Sequence, residues 1–150
     1  GTLPLIGYNY TSGNKKRMMS TIRTLFAFGL AVGIVIALVL YVEADGVTKL
    51  FINDAETVRY GRSFLHIIGC ACPMTTITFF VLTVFQATGK KIQPIILSML
   101  RKGVADVPFM LLFNRLFGIN GVAWATPVAE IISVIVAAAM VIPYMKKLSE

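Results

Sequence analysis

Charge is what this 150-residue sequence has least of: 14% of its residues are Asp, Glu, Lys or Arg, against about 25% in soluble domains. With 57% hydrophobic residues and a mean hydropathy of +0.79, the chain is too apolar for an ordinary water-soluble domain. It has one histidine and two cysteines, and no C-x-x-C or His/Cys ligand cluster, so no metal framework is expected. Cys70 and Cys72 lie two apart, where a helix points them to nearly opposite sides, so they cannot pair with each other. Neither H-E-x-x-H nor G-x-S-x-G occurs, nor a pair of aspartates within one apolar run. Nothing here points to an enzyme or to a cofactor.

Phosphate binding is excluded on similar grounds. The stretch "VFQATGKK" (84–91) offers Gly89-Lys90, but Val84 stands where the loop's first glycine belongs, and Lys91 where its hydroxyl belongs. The net charge of +7 does not indicate nucleic acid either. A nucleic-acid face gathers its bases with aromatics between them, whereas here the bases sit in short groups at the ends of apolar runs.

Those runs are the main feature present. No charge interrupts Thr24–Val42 or Ser63–Gly89, stretches of 19 and 27 residues. A bilayer core of about 30 Å needs about 20 apolar residues in a helix, so both can span it. Four crossings are expected: about 20–41, about 53–88, 94–114 with a kink at Pro108, and about 120–145. Residues 1–10 read as the tail of a preceding membrane helix, closed by the polar loop "TSGNKKR". Residues 1–19 therefore form that helix end plus a basic loop, and 20–150 the four-helix part. The first residue is glycine and the opening is already apolar, so the chain is expected to begin partway through a larger protein. Gly29-x-x-x-Gly33 lets a neighbouring helix approach closely. Asn53 or Asp54 can cap the second long helix, with Glu56 at the positive end of its dipole, and Pro73 should bend that helix.

Counting Lys and Arg by connection sets the orientation. The first connection has Lys15, Lys16, Arg17 and Arg23; the second has three bases beside four acids. The third has Lys90 and Lys91, joined by Arg101 and Lys102 if these snorkel back to it. The fourth has Arg115 alone, and the tail has Lys146 and Lys147. Rich and poor connections alternate, which places the first loop and the C-terminal tail in the cytoplasm.

Within the runs, His66, Pro73, Thr76, Thr83 and Ala87 share a helical register, with Gln86 close by. Either the hydroxyls bond backbone carbonyls near the proline, or the stripe lines a cavity. Asp106 and Glu130 fall at similar depth, about 12–14 Å from one end of adjacent helices at 1.5 Å per residue. An acid at such depth has a partner or a task. Asp106 has Lys102 one turn earlier. Glu130 has no base three or four positions away and is the better candidate for contact with a proton, cation or substrate.

"PLIGYNYTSGNKKR", then "FQATGK" after the proline-bent helix, then "LSMLRKG…VPFMLLFNRLFGINGVAWATPVAE" resembles the C-terminal third of MATE multidrug efflux transporters, in the family's order along nearly the whole chain. The resemblance implies an all-α integral membrane protein, a fragment of a twelve-helix, two-lobe transporter. It implies a bacterial inner (plasma) membrane location, with the lipid bilayer and the missing N-terminal lobe as neighbours. It further implies export of cationic amphipathic drugs or toxins in exchange for Na+ or H+, with substrate in the cleft between lobes. Glu130 matches an acidic or polar position after the family's proline, here Pro127. Thr11-Ser12 replaces the usual Gly-Ala, His66 stands where arginine is frequent, and Asp106 where an apolar residue is usual. Some members bind the coupling cation at an aspartate of their tenth helix, and the matching stretch here, 63–89, contains no acid. Two other readings stand beside this one. A flippase for lipid-linked sugars of the same superfamily should have a more basic cavity, and a small four-helix subunit would have a structural or assembly role. The candidate substrate or ion contacts are Glu130, Asp106, His66, Thr76, Thr83 and Gln86.

The charge pattern makes a direct prediction. In a background without Cys70 and Cys72, a membrane-impermeant thiol reagent added to intact cells should label a cysteine placed at Asn53 but not one placed at Ser149. The reverse pattern would overturn the orientation.

Overall fold

A computed structural model describes residues 2–51 and 54–149, and all of the regular structure in them is helical. Helix α1 (Thr2–Thr11) is short, and α2 (Lys15–Val42) is the first long one. After it come a six-residue helix α3 (Ala44–Lys49) and the longest helix, α4 (Ala55–Ala87). Then follow α5 (Ile92–Met99), a π-helical segment (Leu100–Ala105), α6 (Asp106–Phe117) and α7 (Ile119–Ser149).

Three helices, α2, α4 and α7, are long and apolar enough to cross a membrane. This corrects the expected count of four. The segment expected as a single third span is interrupted by the π turns of residues 100–105, and it carries Arg101, Lys102 and Asp106. The interruption precedes Pro108. A proline ring clashes with the carbonyl four residues back and offers it no N–H. For Pro108 that carbonyl belongs to Val104, inside the wider π turns, so the proline acts one turn upstream of itself.

The basic loop is shorter than expected. Gly13, at φ 71°, ends α1 in a conformation that suits glycine. Asn14 then caps α2, its Oδ1 accepting from the Arg17 N–H at 3.0 Å. Only residues 12–14 remain outside helix, and Lys15, Lys16 and Arg17 form the first turn of α2. Asp54 caps α4, accepting from the Thr57 hydroxyl at 2.7 Å and its N–H at 2.9 Å. These two bonds hold the Asp54 carboxyl below its ordinary pKa. Asn53, the alternative cap, lies outside the described residues.

Helices α2, α4 and α7 converge at the end that carries the lysines. There Ile6, Met18, Ile22 and Val84 form one buried cluster, and Val81, Leu82, Phe85, Leu97 and Ala137 another. Lys90 lies 5.5 Å from the Tyr144 ring at that end, so "GKK" marks where α4 leaves the layer. At the opposite end α6 turns into α7 through Gly118 alone, at φ 63°. Gly121 sits so close to the Phe113 carbonyl that a side chain there has no room. Asp45 of α3 meets Arg62 of α4 at 3.4 Å, an exposed pair of little energetic weight.

The Gly29/Gly33 spacing receives α4 directly. A Cβ on Gly33 would stand 2.5 Å from Thr76 Oγ1 and 3.6 Å from Pro73 Cα; one on Gly29 would stand 3.7 Å from Thr76 Cγ2. Gly33→Val should therefore separate α2 from α4, at a cost of about 1–3 kcal/mol. Reduced thermal stability of the purified full-length protein would show it, and Gly29→Ala should cost less. Equal stability of the Gly33→Val protein would mean that the contact does not hold these helices together.

Candidate functional site

Midway along the layer, α2, α4, the π segment and α7 surround a cleft of about 380 Å³. Gly33, Thr75, Thr76, Thr126, Arg101 and Glu130 contribute to its wall. A larger groove of about 570 Å³ lies at the far end between α6 and α7, but its wall (Phe113, Phe117, Asn120, Gly121, Trp124 and Val128) has no ionisable group. The chemistry available is in the smaller cleft.

Glu130 is only 1% exposed. Its Oε1 lies 3.3 Å from Nη1 of Arg101, a residue 9% exposed, which comes from the π segment rather than from α7. Sequence spacing hid this partner, because it is 29 positions away and its neighbours read as a cytoplasmic end. Arg101 does not snorkel to the basic loop; its guanidinium turns inward and lies 4.0 Å from the centre of the Phe79 ring. The expected count for the third connection therefore falls to Lys90 and Lys91. Burying either charge unpaired would cost several kcal/mol, about 3–5 where one partner of a buried pair is removed. The pair is nonetheless incomplete. Glu130 Oε2 and Arg101 Nη1 are buried without a hydrogen-bond partner among the described residues.

Asp106 is tied in two directions. Lys102 Nζ lies 3.6 Å from its Oδ2, and Thr126 donates to its Oδ1 at 3.4 Å. Thr126 and Glu130 are one turn apart on α7, so two acid–base pairs stand side by side where the interrupted helix meets α7.

The remaining candidates separate. Thr76 lines the cleft while its hydroxyl donates to the Cys72 carbonyl at 2.9 Å. Thr83 donates to the Phe79 carbonyl at 2.9 Å, on the basic side of the cleft. Both hydroxyls of the polar stripe are thus satisfied by their own backbone, and Thr78 and Thr88, outside the stripe, make the same one-turn bonds to Met74 and Val84. His66 lies toward the other end, its Nε2 3.0 Å from the Tyr41 carbonyl and its ring stacked on Tyr41 at 4.3 Å. Gln86 is exposed near the basic end. Glu130 and Thr76 share the cleft, and Asp106 adjoins it; His66, Thr83 and Gln86 do not reach it.

The family model MatE matches residues 1–112. The chain belongs to the MatE family. It is 30% identical over 145 residues to the multidrug export protein MepA of Staphylococcus saprophyticus, an alignment covering 97% of this chain and 31% of that protein. The chain thus spans about a third of the length of this relative. Among solved MatE-type structures, it superposes on the outward-facing conformation of a multidrug resistance MATE family transporter with a TM-score of 0.88 at 18% identity. That match covers 98% of this chain and 34% of the other. The inward-facing conformation gives 0.86 at 20% identity, covering 99% of this chain and 36% of the other. This MatE chain is accordingly part of a multi-pass protein of the bacterial plasma membrane, and its fold is that of the family.

In the full-length MatE protein, Arg101→Met alone should lower stability by about 3–5 kcal/mol, because Glu130 is left buried and unpaired. Arg101→Met combined with Glu130→Leu should recover most of that loss, as read by thermal unfolding in detergent. A double variant no more stable than the single one would show that the pair does not govern the packing.

Proposed function

We propose that the protein carrying this segment exports several small cationic, amphipathic compounds, driven by inward movement of Na+ or H+. The observation that carries the proposal is the alignment with a multidrug export protein along 97% of the chain. The cleft is compatible with that reading, since a buried carboxylate beside apolar side chains such as Ile36 and Ile68 suits a lipophilic cation. Glu130 is the contact residue for the cation, with Asp106 and Thr76 adjoining. The near-equal likeness to inward- and outward-facing relatives supports a segment that keeps its internal arrangement while one lobe moves against the other. The protein is on this reading a transporter and not an enzyme.

A flippase for lipid-linked sugars is less well supported. Arg101 and Lys102 face the cleft, but Glu130 and Asp106 match them, leaving no excess positive charge to hold a pyrophosphate.

Expression of the full-length protein in a drug-hypersensitive bacterium should raise resistance to ethidium severalfold and speed its efflux. Glu130→Gln should slow that efflux by about tenfold per molecule of protein in the membrane, the factor given by about 1.4 kcal/mol of lost interaction, with abundance measured alongside because Arg101 then loses its carboxylate. An abundant unsubstituted protein that neither confers resistance nor exports dye would defeat the proposal.

A further inference from the structure

We propose that Arg101 is a tethered occupant of a subsite for planar organic cations, formed by the Glu130 carboxylate and the Phe79 ring, and that a bound cation takes its place. The inference rests on the exporter reading for its purpose, but its geometry stands apart from that reading.

A guanidinium is a flat, delocalised cation. In this structure it lies 4.0 Å from an aromatic centre and 3.3 Å from a carboxylate oxygen. An aromatic face and a single carboxylate are also the two features that recognise a flat monocation from solution. The internal arginine therefore displays the shape and charge that its surroundings select.

Three further observations indicate that it can be displaced. The pair is not the two-pronged, fully bonded contact that arginine makes with a carboxylate in a fixed structural role, because Glu130 Oε2 and Arg101 Nη1 lack hydrogen-bond partners among the described residues. The adjoining cleft of about 380 Å³ lies within the range of ligand pockets, roughly 300–1,000 Å³, and it reaches Arg101 and Glu130 themselves. Arg101 also belongs to the π segment Leu100–Ala105. Tightening one π turn to α-helix removes a residue from the turn and rotates the side chains on one side of it by about 100°. That is enough to swing Arg101 off the ring without unfolding the helix.

An occupant of this kind weakens binding by the fraction of time it is seated. If Arg101 holds Glu130 for about nine-tenths of the time, a competing cation binds about tenfold more weakly than the empty site would allow.

The test is fluorescence titration of the purified full-length protein in lipid nanodiscs with ethidium, which is planar, and with tetraphenylphosphonium as a competing ligand, which is not. Arg101→Gln should tighten ethidium binding by about tenfold and tetraphenylphosphonium binding much less. Adding Glu130→Gln should abolish the gain, and adding Phe79→Leu should reduce it. Unchanged or weaker ethidium binding by the Arg101→Gln protein would overturn the proposal, and so would an equal gain for both ligands. If that variant does not fold, Phe79→Leu in the otherwise unsubstituted protein replaces it: ethidium should then bind several-fold more weakly and tetraphenylphosphonium much less so, and unchanged ethidium binding would overturn the proposal. Efflux by the unsubstituted protein tests the exporter reading separately. Binding can respond to Arg101 in a protein that exports nothing, and efflux can be normal while binding ignores position 101.

Discussion

A carboxylate buried in the middle of an apolar layer has to be met by positive charge, and Glu130 is met by Arg101 from a different helix. Much of the local architecture follows from that contact. A charged residue at mid-bilayer costs about 2.5–3.5 kcal/mol on insertion scales, so Arg101, Lys102 and Asp106 in one lipid-facing helix would cost roughly 8–10 kcal/mol together. Turning Arg101 toward Glu130 and bracing Asp106 with Lys102 and Thr126 removes most of that cost. It also fixes the rotation of the interrupted helix against α7. The π turns lie where this happens, at the residues that supply two of the four charges.

Helix α4 provides the frame for this arrangement. Pro73 withholds one N–H from its interior, and the threonines that follow it bond their hydroxyls back to other carbonyls one turn earlier, those of Cys72, Met74 and Phe79. Such bonds keep polar groups satisfied while leaving methyl groups and small surfaces outward. Thr76 shows the result. Its hydroxyl serves Cys72, while the residue sits against Gly33 closely enough to exclude any side chain there. Small residues, Gly33, Ala71 and Thr76 among them, therefore form part of the wall where the charges lie.

The long helices were legible because uninterrupted apolar length is a local property. So were the cap at Asp54, the close approach at Gly33 and the one-turn pairing of Lys102 with Asp106. Three features were not. The turn at residues 12–14 is tighter than its composition suggested, because a glycine stop and an asparagine start overlap. The interruption at 100–105 was misplaced because the effect of Pro108 falls on a carbonyl four residues earlier. Arg101 was assigned to the basic end because arginine near a helix end ordinarily snorkels. Its actual direction depends on a carboxylate 29 positions away, and spacing along one helix cannot report that. The family resemblance did not supply it either, since it concerned Glu130 and the proline before it, not the base that meets them.

The position of the cleft follows from where the packing is strong. At the basic end Phe85, Leu97, Ile6 and Met18 are almost fully buried, and α1, α2, α4, α5 and α7 meet there. At the other end the backbones of α6 and α7 touch at Gly121. Between these anchors the wall includes Gly33, Ala71, Thr75, Thr76 and Thr126 beside Ile36 and Ile68, and its small residues leave space between helices held at both ends. Large apolar residues there would close the gap but would leave Glu130 and Arg101 in a dry interior with no other group to meet. Meanwhile the outward faces of α2 and α6 carry exposed apolar side chains, such as Val35, Leu38, Leu111 and Leu116, which lipid or protein tails accept without penalty. The fold thus keeps its apolar packing at the ends and its lipid-compatible surface outside, and leaves one polar gap at the level where an ion pair is incompletely satisfied.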